Sequence, residues 1–391
     1  MRTIKDQAAI VGIGATEFSK HSGRSSLQLA AEAVKAALDD CGLHPADVDG
    51  MTQFFADFND EIEVARTVGI GTLHLFSRIP HGGGASTSLL HQAAMAIATG
   101  ICEVVVCYRS LNGRSGEQRY SEGVGGSQIT TPDLVHWGWY MPYGLMSPAS
   151  WVAMFTRRYM HQYGVTSADL GRVAVATRNY AVTNPQAPFY GKPLTLEQHQ
   201  QSRWIVEPLH LYDCCQETDG ACAVVVTTPE RARDLKQPPA LIRAVAQGVG
   251  PDQEVMTSFY RPDITRLPEM EVIAQQLYRQ AGLGPQDIDA ANIYDAFTPI
   301  VLFQLEEFGF AKRGEARDFV NAGGLDRTGR LPTNTNGGQL SEAYIHGVNG
   351  IVESVRLVRG TSVNQPPKPV HHVLVTSGVG VPTSAAILAK A

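Results

Sequence analysis

One segment occurs twice in this chain. Gly42-Leu43-His44-Pro45-Ala46-Asp47-Val48-Asp49 and Gly282-Leu283-Gly284-Pro285-Gln286-Asp287-Ile288-Asp289 match position for position, more than half the chain apart. Their surroundings match as well. Before Gly42, apolar Leu27, Ala30, Ala31, Val34, Leu38 and Cys41 recur at helical spacing, and a second helix is expected over 272–280, before Gly282. A glycine there is a natural left-handed helix stop. Strands are expected next, over 51–55 and 291–294. Each half then reaches a glycine turn, Gly82-Gly83-Gly84 or Gly337-Gly338. A buried helix follows in each, over 86–99 or about 341–358, and then a strand, over 104–106 or 373–375. Alternation of this kind puts helices on both faces of a sheet. Two such halves stacked make an α/β fold of five layers, α/β/α/β/α, with the Ala- and Gly-rich helices in the middle.

The Pro-rich run Lys236-Gln237-Pro238-Pro239 divides the halves, giving an N-terminal half over 1–235 and a C-terminal half over 236–391. Residues from about 111 to 202 have no counterpart in the second half. They hold Trp137, Trp139, Tyr140, Tyr143, Trp151 and Tyr159, an aromatic density expected of a substrate-covering or partner-contacting insertion.

Composition narrows the function. With 32 Lys and Arg against 38 Asp and Glu, the net charge of −6 argues against a general nucleic-acid binder. No stretch approaches the roughly 20 apolar residues of a membrane span. Residues 1–7 carry an acidic residue and lack a signal peptide's apolar core, so a cytoplasmic location is expected. Six cysteines in 391 residues are too few for a disulfide scaffold, and none of the spacings is that of a metal site, so no metal is expected.

Two motifs fail on their context. Gly12-Ile13-Gly14 lacks the third glycine of a dinucleotide fingerprint, and the next helix starts too late to meet a phosphate. His81-Gly82-Gly83-Gly84 resembles an esterase oxyanion turn, but the chain has no Gly-x-Ser-x-Gly elbow to supply the nucleophile. The glycines then serve to let backbone approach a ligand.

The duplicated five-layer body, together with Thr218-Asp219-Gly220-Ala221-Cys222-Ala223-Val224-Val225-Val226, resembles the thiolase superfamily, and within it the sterol-carrier and lipid-transfer group. The departures carry the information. Where thiolases place a nucleophilic cysteine, this chain reads Gly84-Ala85-Ser86-Thr87. The family's Asn-Glu-Ala-Phe block appears as Tyr294-Asp295-Ala296-Phe297, its Gly-His-Pro block as Ala343-Tyr344-Ile345, and its Cys-x-Gly block as Ser377-Gly378-Val379-Gly380. Without a thiolate no acyl-enzyme forms. A tyrosine, with an ordinary pKa of about 10, can still donate a proton and, if lowered, accept one.

The resemblance to thiolase-like aldolases of bacterial steroid side-chain degradation implies retro-aldol cleavage of a β-hydroxyacyl-CoA. The implied substrate is a 17-hydroxy steroid with a three-carbon CoA side chain, giving a 17-keto steroid and propionyl-CoA. It implies Tyr294 and Tyr344 as the catalytic pair, in either order of base and acid. Asp295, His346 and Ser377 are supporting candidates, and Gly83, Gly84 and Gly380 candidate oxygen-binding positions. With the helix taken to start near 341, His346 and Tyr344 lie two positions apart and do not share a face, which favours a structural His346. No cofactor is implied beyond the substrate's own CoA. A homodimer and a partner subunit with an OB-fold and a zinc ribbon are implied, and Arg157, Arg158 and Arg203 are possible contacts for CoA phosphates. Two alternatives remain: a silent acyl-CoA carrier, and a condensing thiolase using another cysteine such as Cys102, expected at a helix-to-strand junction, or Cys107, expected at a strand end.

Overall fold

The computed structural model describes residues 4–54, 59–79, 82–116, 138–251, 259, 261–378 and 383–391. His81, Trp137 and Gly380 lie outside the described residues. The duplicated segment does the same work in both halves. Helices Ser26–Cys41 and Pro268–Ala281 end at Gly42 and Gly282, with φ of 77° and 70°. The first aspartate of each repeat closes a tight turn: Asp47 accepts from the His44 amide at 2.8 Å and Asp287 from the Gly284 amide at 2.7 Å. The second accepts from the amides that lead into a neighbouring strand. Asp49 takes those of Glu103 and Val104, and Asp289 those of His371 and His372.

The strands are β1 (Ala9–Ala15), β2 (Gly50–Phe54), β3 (Leu75–Ile79), β4 (Val104–Asn112), the short pair β5 (Trp204–Val206) and β6 (Leu209–His210), β7 (Asp219–Thr227), β8 (Ala240–Gly248), β9 (Ala290–Asn292), β10 (His372–Thr376) and β11 (Thr383–Lys390). All but β5 and β6 join in the order β3-β2-β4-β7-β1-β8-β11-β10-β9. Read outward from the centre, β1-β7-β4-β2 repeats as β8-β11-β10-β9. In each half the innermost two pairings are antiparallel and the next is parallel. β3, parallel to β2, survives in the second half only as a bridge between Ala291 and Thr333. The halves meet through two residue pairs, Ala9 with Leu241 and Ile10 with Ala240.

Helices Ser86–Thr99 and Val348–Arg359 lie between the two half-sheets and pack on strands of both. Ser26–Cys41 covers the outer face of the first half and Pro268–Ala281 that of the second, completing the five layers. One boundary differs from expectation. The second central helix starts at Val348, not near 341, because His346 (φ 49°) and Gly347 (φ 85°) take left-handed backbone that breaks it from the turn Gly338–Glu342. Cys107 sits within β4 rather than at its end, since that strand runs on to Asn112.

The insertion folds as helices Pro148–Tyr163, Ser167–Thr183 and Leu196–Gln201 plus the β5–β6 pair. It interrupts the first half in sequence but packs on the second. Val152, Phe155, Tyr159, Leu170 and Val173 share a core with Ile300 and Phe303 of helix Thr298–Glu307. The Tyr159 hydroxyl donates to Glu306, which Arg313 also holds.

Candidate active site

Fifty positions apart in sequence, Tyr294 and Tyr344 meet with their hydroxyl oxygens 3.3 Å apart. Tyr294 lies between β9 and helix Thr298–Glu307, and a ring of hydrogen bonds clamps its backbone. Its amide donates to Thr376 Oγ1 at 2.9 Å, its carbonyl accepts from Gln304 Nε2 at 2.8 Å, and Thr376 Oγ1 donates to Gln304 Oε1 at 2.5 Å. The Tyr344 amide donates to Thr218 Oγ1 at 3.3 Å, which gives the first residue of the Thr-Asp-Gly-Ala run a role beside the phenol. Gly83 presses on the pair: a methyl group there would stand 2.0 Å from Tyr294 Oη. The glycine turn therefore brings main chain against the phenols, as a ligand-approaching turn should.

The supporting candidates fall in different places. Asp295 is buried behind the pair and accepts from the amides of Gln339 at 2.8 Å and Leu340 at 3.4 Å. It thereby pins the turn that leads to Tyr344, and burial raises its pKa to about 6 against those hydrogen bonds. His346 is fully buried, and its ring packs 4.7 Å from that of Tyr344, so the two do adjoin. The expectation of separate faces fails because no helix runs through them. Nδ1 accepts from Arg109 Nε at 3.1 Å, and burial, with Arg109's charge second, holds the imidazole pKa well below its ordinary value.

Ser377 is drawn into a knot of hydroxyls. Its Oγ lies 2.6 Å from Ser86 Oγ, 2.8 Å from Thr87 Oγ1 and 2.8 Å from Ser384 Oγ, and accepts from the Thr87 amide at 2.9 Å. That arrangement places Ser377 at the N-terminus of the first central helix. Gly84 is buried beside it, its carbonyl accepting from Ser384 Oγ at 2.8 Å.

Tyr344 opens on a cavity of about 540 Å³, a usual size for a ligand site. Phe297, Leu340, Cys214 and Cys215 line it, with Ala149, Arg178, Phe189, Arg203 and Tyr212 from the insertion and its flank. Arg203 is thus at the cavity. Arg157 and Arg158 are not among its walls, and Arg157 pairs with Glu207 at 2.6 Å. Sequence reading missed Arg178 and Gln304. A lone arginine or glutamine in a helical pattern carries no signal of what lies across from it.

Residues 8–230 match the thiolase N-terminal domain and residues 250–390 the thiolase C-terminal domain-like family. The chain belongs to the thiolase superfamily. It is 63% identical over 389 residues, 99% of each chain, to the steroid side-chain-cleaving aldolase of Thermomonospora curvata. It is 57% identical, over 98% of this chain and 100% of the relative, to the 17-hydroxy-3-oxo-4-pregnene-20-carboxyl-CoA lyase of Mycobacterium tuberculosis. Among solved structures the Ltp2-ChsH2(DUF35) aldolase superposes with a TM-score of 0.95 at 61% identity, covering 100% of this chain and 99% of that one. Human mitochondrial 3-ketoacyl-CoA thiolase, at 16% identity and a TM-score of 0.68 over the full length of both chains, shares the fold.

Proposed function

We propose that this thiolase homologue is a carbon–carbon lyase that cleaves a β-hydroxyacyl-CoA by a retro-aldol reaction. The observation that carries the reading is the pair of phenols 3.3 Å apart, Tyr344 lining the cavity and Tyr294 buried behind it, with glycine where thiolases hold their nucleophile. The substrate is a 17-hydroxy steroid with a 20-carboxyl-CoA side chain, supported by the names of the two relatives of high identity. One tyrosine, as phenolate, takes the hydroxyl proton. The C–O bond becomes a carbonyl as the bond from C17 to C20 breaks, and its electron pair passes into the thioester enolate. The second phenol protonates C20, and a proton shared between the two oxygens restores the pair. The products are a 17-ketone and propionyl-CoA. No electrons leave the substrate, so no cofactor beyond its own CoA enters. The turn 82–84 brings the main chain of Gly83 against Tyr294, and its amides are the donors we assign to the enolate oxygen.

The active assembly is a homodimer core joined to a partner subunit with an OB-fold and a zinc ribbon, and any zinc belongs to that partner. The neighbouring structure, an Ltp2-ChsH2(DUF35) aldolase, supports a partner. So do Trp139, Tyr143, Tyr190 and Trp204, exposed on and beside the insertion. For the dimer, β3 ends the N-terminal half-sheet with Phe76 exposed.

The test is mass spectrometry of products from the steroid CoA thioester, with the partner present, for wild type, Tyr294→Phe and Tyr344→Phe. Each variant should lose roughly 100-fold or more in turnover. Near-wild-type turnover in both would refute the assignment. Bound but intact substrate in the wild type would favour a silent carrier.

A further inference from the structure

The cavity at Tyr344 is basic. Among the described residues Lys20, Arg114, Arg178 and Arg203 line it against one carboxylate, Glu217. Arg178, on helix Ser167–Thr183, stands apart from the other three because it is only 4% exposed. A buried guanidinium ordinarily has a carboxylate beside it, since an unpaired buried charge is costly. Arg178 has none. Nε donates to Ser341 Oγ at 2.9 Å and Nη1 to the Lys192 carbonyl at 3.4 Å, both neutral acceptors, which leaves Nη2 for a ligand. One face of the guanidinium is closed by the Phe189 ring, 3.5 Å from its central carbon, and Tyr212 lies at 5.6 Å. Burial lowers its pKa to about 10, which still leaves it cationic at neutral pH.

We propose that Arg178 is a substrate-binding residue that supplies the missing counter-charge contact to a phosphate group of the coenzyme A portion. This rests on the CoA-thioester reading above. Phosphate fits better than a single carboxylate, because four cations lining one cavity suit a ligand carrying several negative charges, and a planar fork held by stacking is suited to phosphate oxygens. The same guanidinium holds Ser341 in the turn Gly338–Glu342, three residues before Tyr344. Phosphate binding at Arg178 is thereby tied to the strand of chain that presents one of the two phenols.

Calorimetry on the full-length protein tests this with CoA, dephospho-CoA and an acyl-pantetheine thioester that lacks phosphates. Arg178→Gln should weaken CoA by roughly 10- to 100-fold, the range of a hydrogen bond to a charged group, while acyl-pantetheine binds both proteins alike. If the ratio persists with dephospho-CoA, the contact is to the diphosphate. If it collapses there, the contact is to the 3′-phosphate. Equal affinity of wild type and variant for CoA would overturn the proposal, as would an equal loss for acyl-pantetheine. Should Arg178→Gln fold poorly, Arg178→Lys carries the test, with an expected loss of about tenfold for CoA alone. Failure of the wild type to bind CoA at all would instead strike the substrate reading on which the proposal rests.

Discussion

Gly83→Ala adds one methyl group, and the structure fixes where it goes. Its carbon would stand 2.0 Å from Tyr294 Oη and 2.4 Å from Cζ, short of ordinary contact at 3.4 Å by about 1.4 Å at the oxygen. The ring has little room to yield. Both backbone polar groups of Tyr294 are tied to Thr376 and Gln304, and Gly347 sits so near the ring that a Cβ there would stand 3.0 Å from Cδ2. Either the turn 82–85 moves or the phenol swings, and both change the 3.3 Å approach to Tyr344. A misplacement of about 1 Å at a reacting group costs on the order of 100-fold. We therefore expect kcat for the steroid CoA thioester to fall about 100-fold, with KM little changed and the thermal midpoint within a few degrees of wild type. In a Tyr294→Phe background the same methyl should add little, because the hydroxyl it displaces is already gone. A Gly83→Ala enzyme with kcat within about threefold of wild type would refute the claim that the position of the Tyr294 hydroxyl limits cleavage.

Gln304→Leu strips the clamp from Tyr294 and leaves its carbonyl and the Thr376 hydroxyl buried without that partner, so urea unfolding should show a loss of about 3 kcal/mol. Burial pushes Glu342 up to about 7 despite donors from Asn349 and Asn336. The folded chain then keeps a proton that the unfolded chain releases near 4.5, so stability falls as pH rises between those values and levels off above them, by roughly 3 kcal/mol in all. Glu342→Gln should flatten that slope in denaturant midpoints measured from pH 4.5 to 8, and an unchanged slope would refute the assignment. Burial raises Cys102 to about 11 and Cys107 to about 12, so neither thiol is poised as a nucleophile. Cys102→Ala and Cys107→Ala should keep turnover near wild type, and loss in either would revive the condensing reading.

Much of the fold was legible because the repeat is local. Its glycines stop helices and the first aspartate of each copy closes a turn within the same segment, and each such requirement leaves a residue type at a fixed spacing. The helix expected from 341 was misplaced for a related reason. An apolar period survives across a break, and neither His346 nor Gly347 announces a left-handed φ that the packing imposes. The motif position of Ser377 says nothing of the three hydroxyls that converge on it from elsewhere in the chain.

By itself, the sequence determined that the chain is two copies of one α/β unit, that glycine stands where a thiolase nucleophile would, and that tyrosines replace the family's usual groups at two positions. Only the tertiary structure decided that those tyrosines touch, that the insertion packs on the half it does not belong to, and that Arg178 faces the cavity without a carboxylate partner among the described residues. The division has a physical cause. Backbone conformation is governed by near neighbours and so leaves a period in the sequence, whereas a contact between residues 294 and 344 depends on how two half-sheets and their shared central helices pack, which no spacing records.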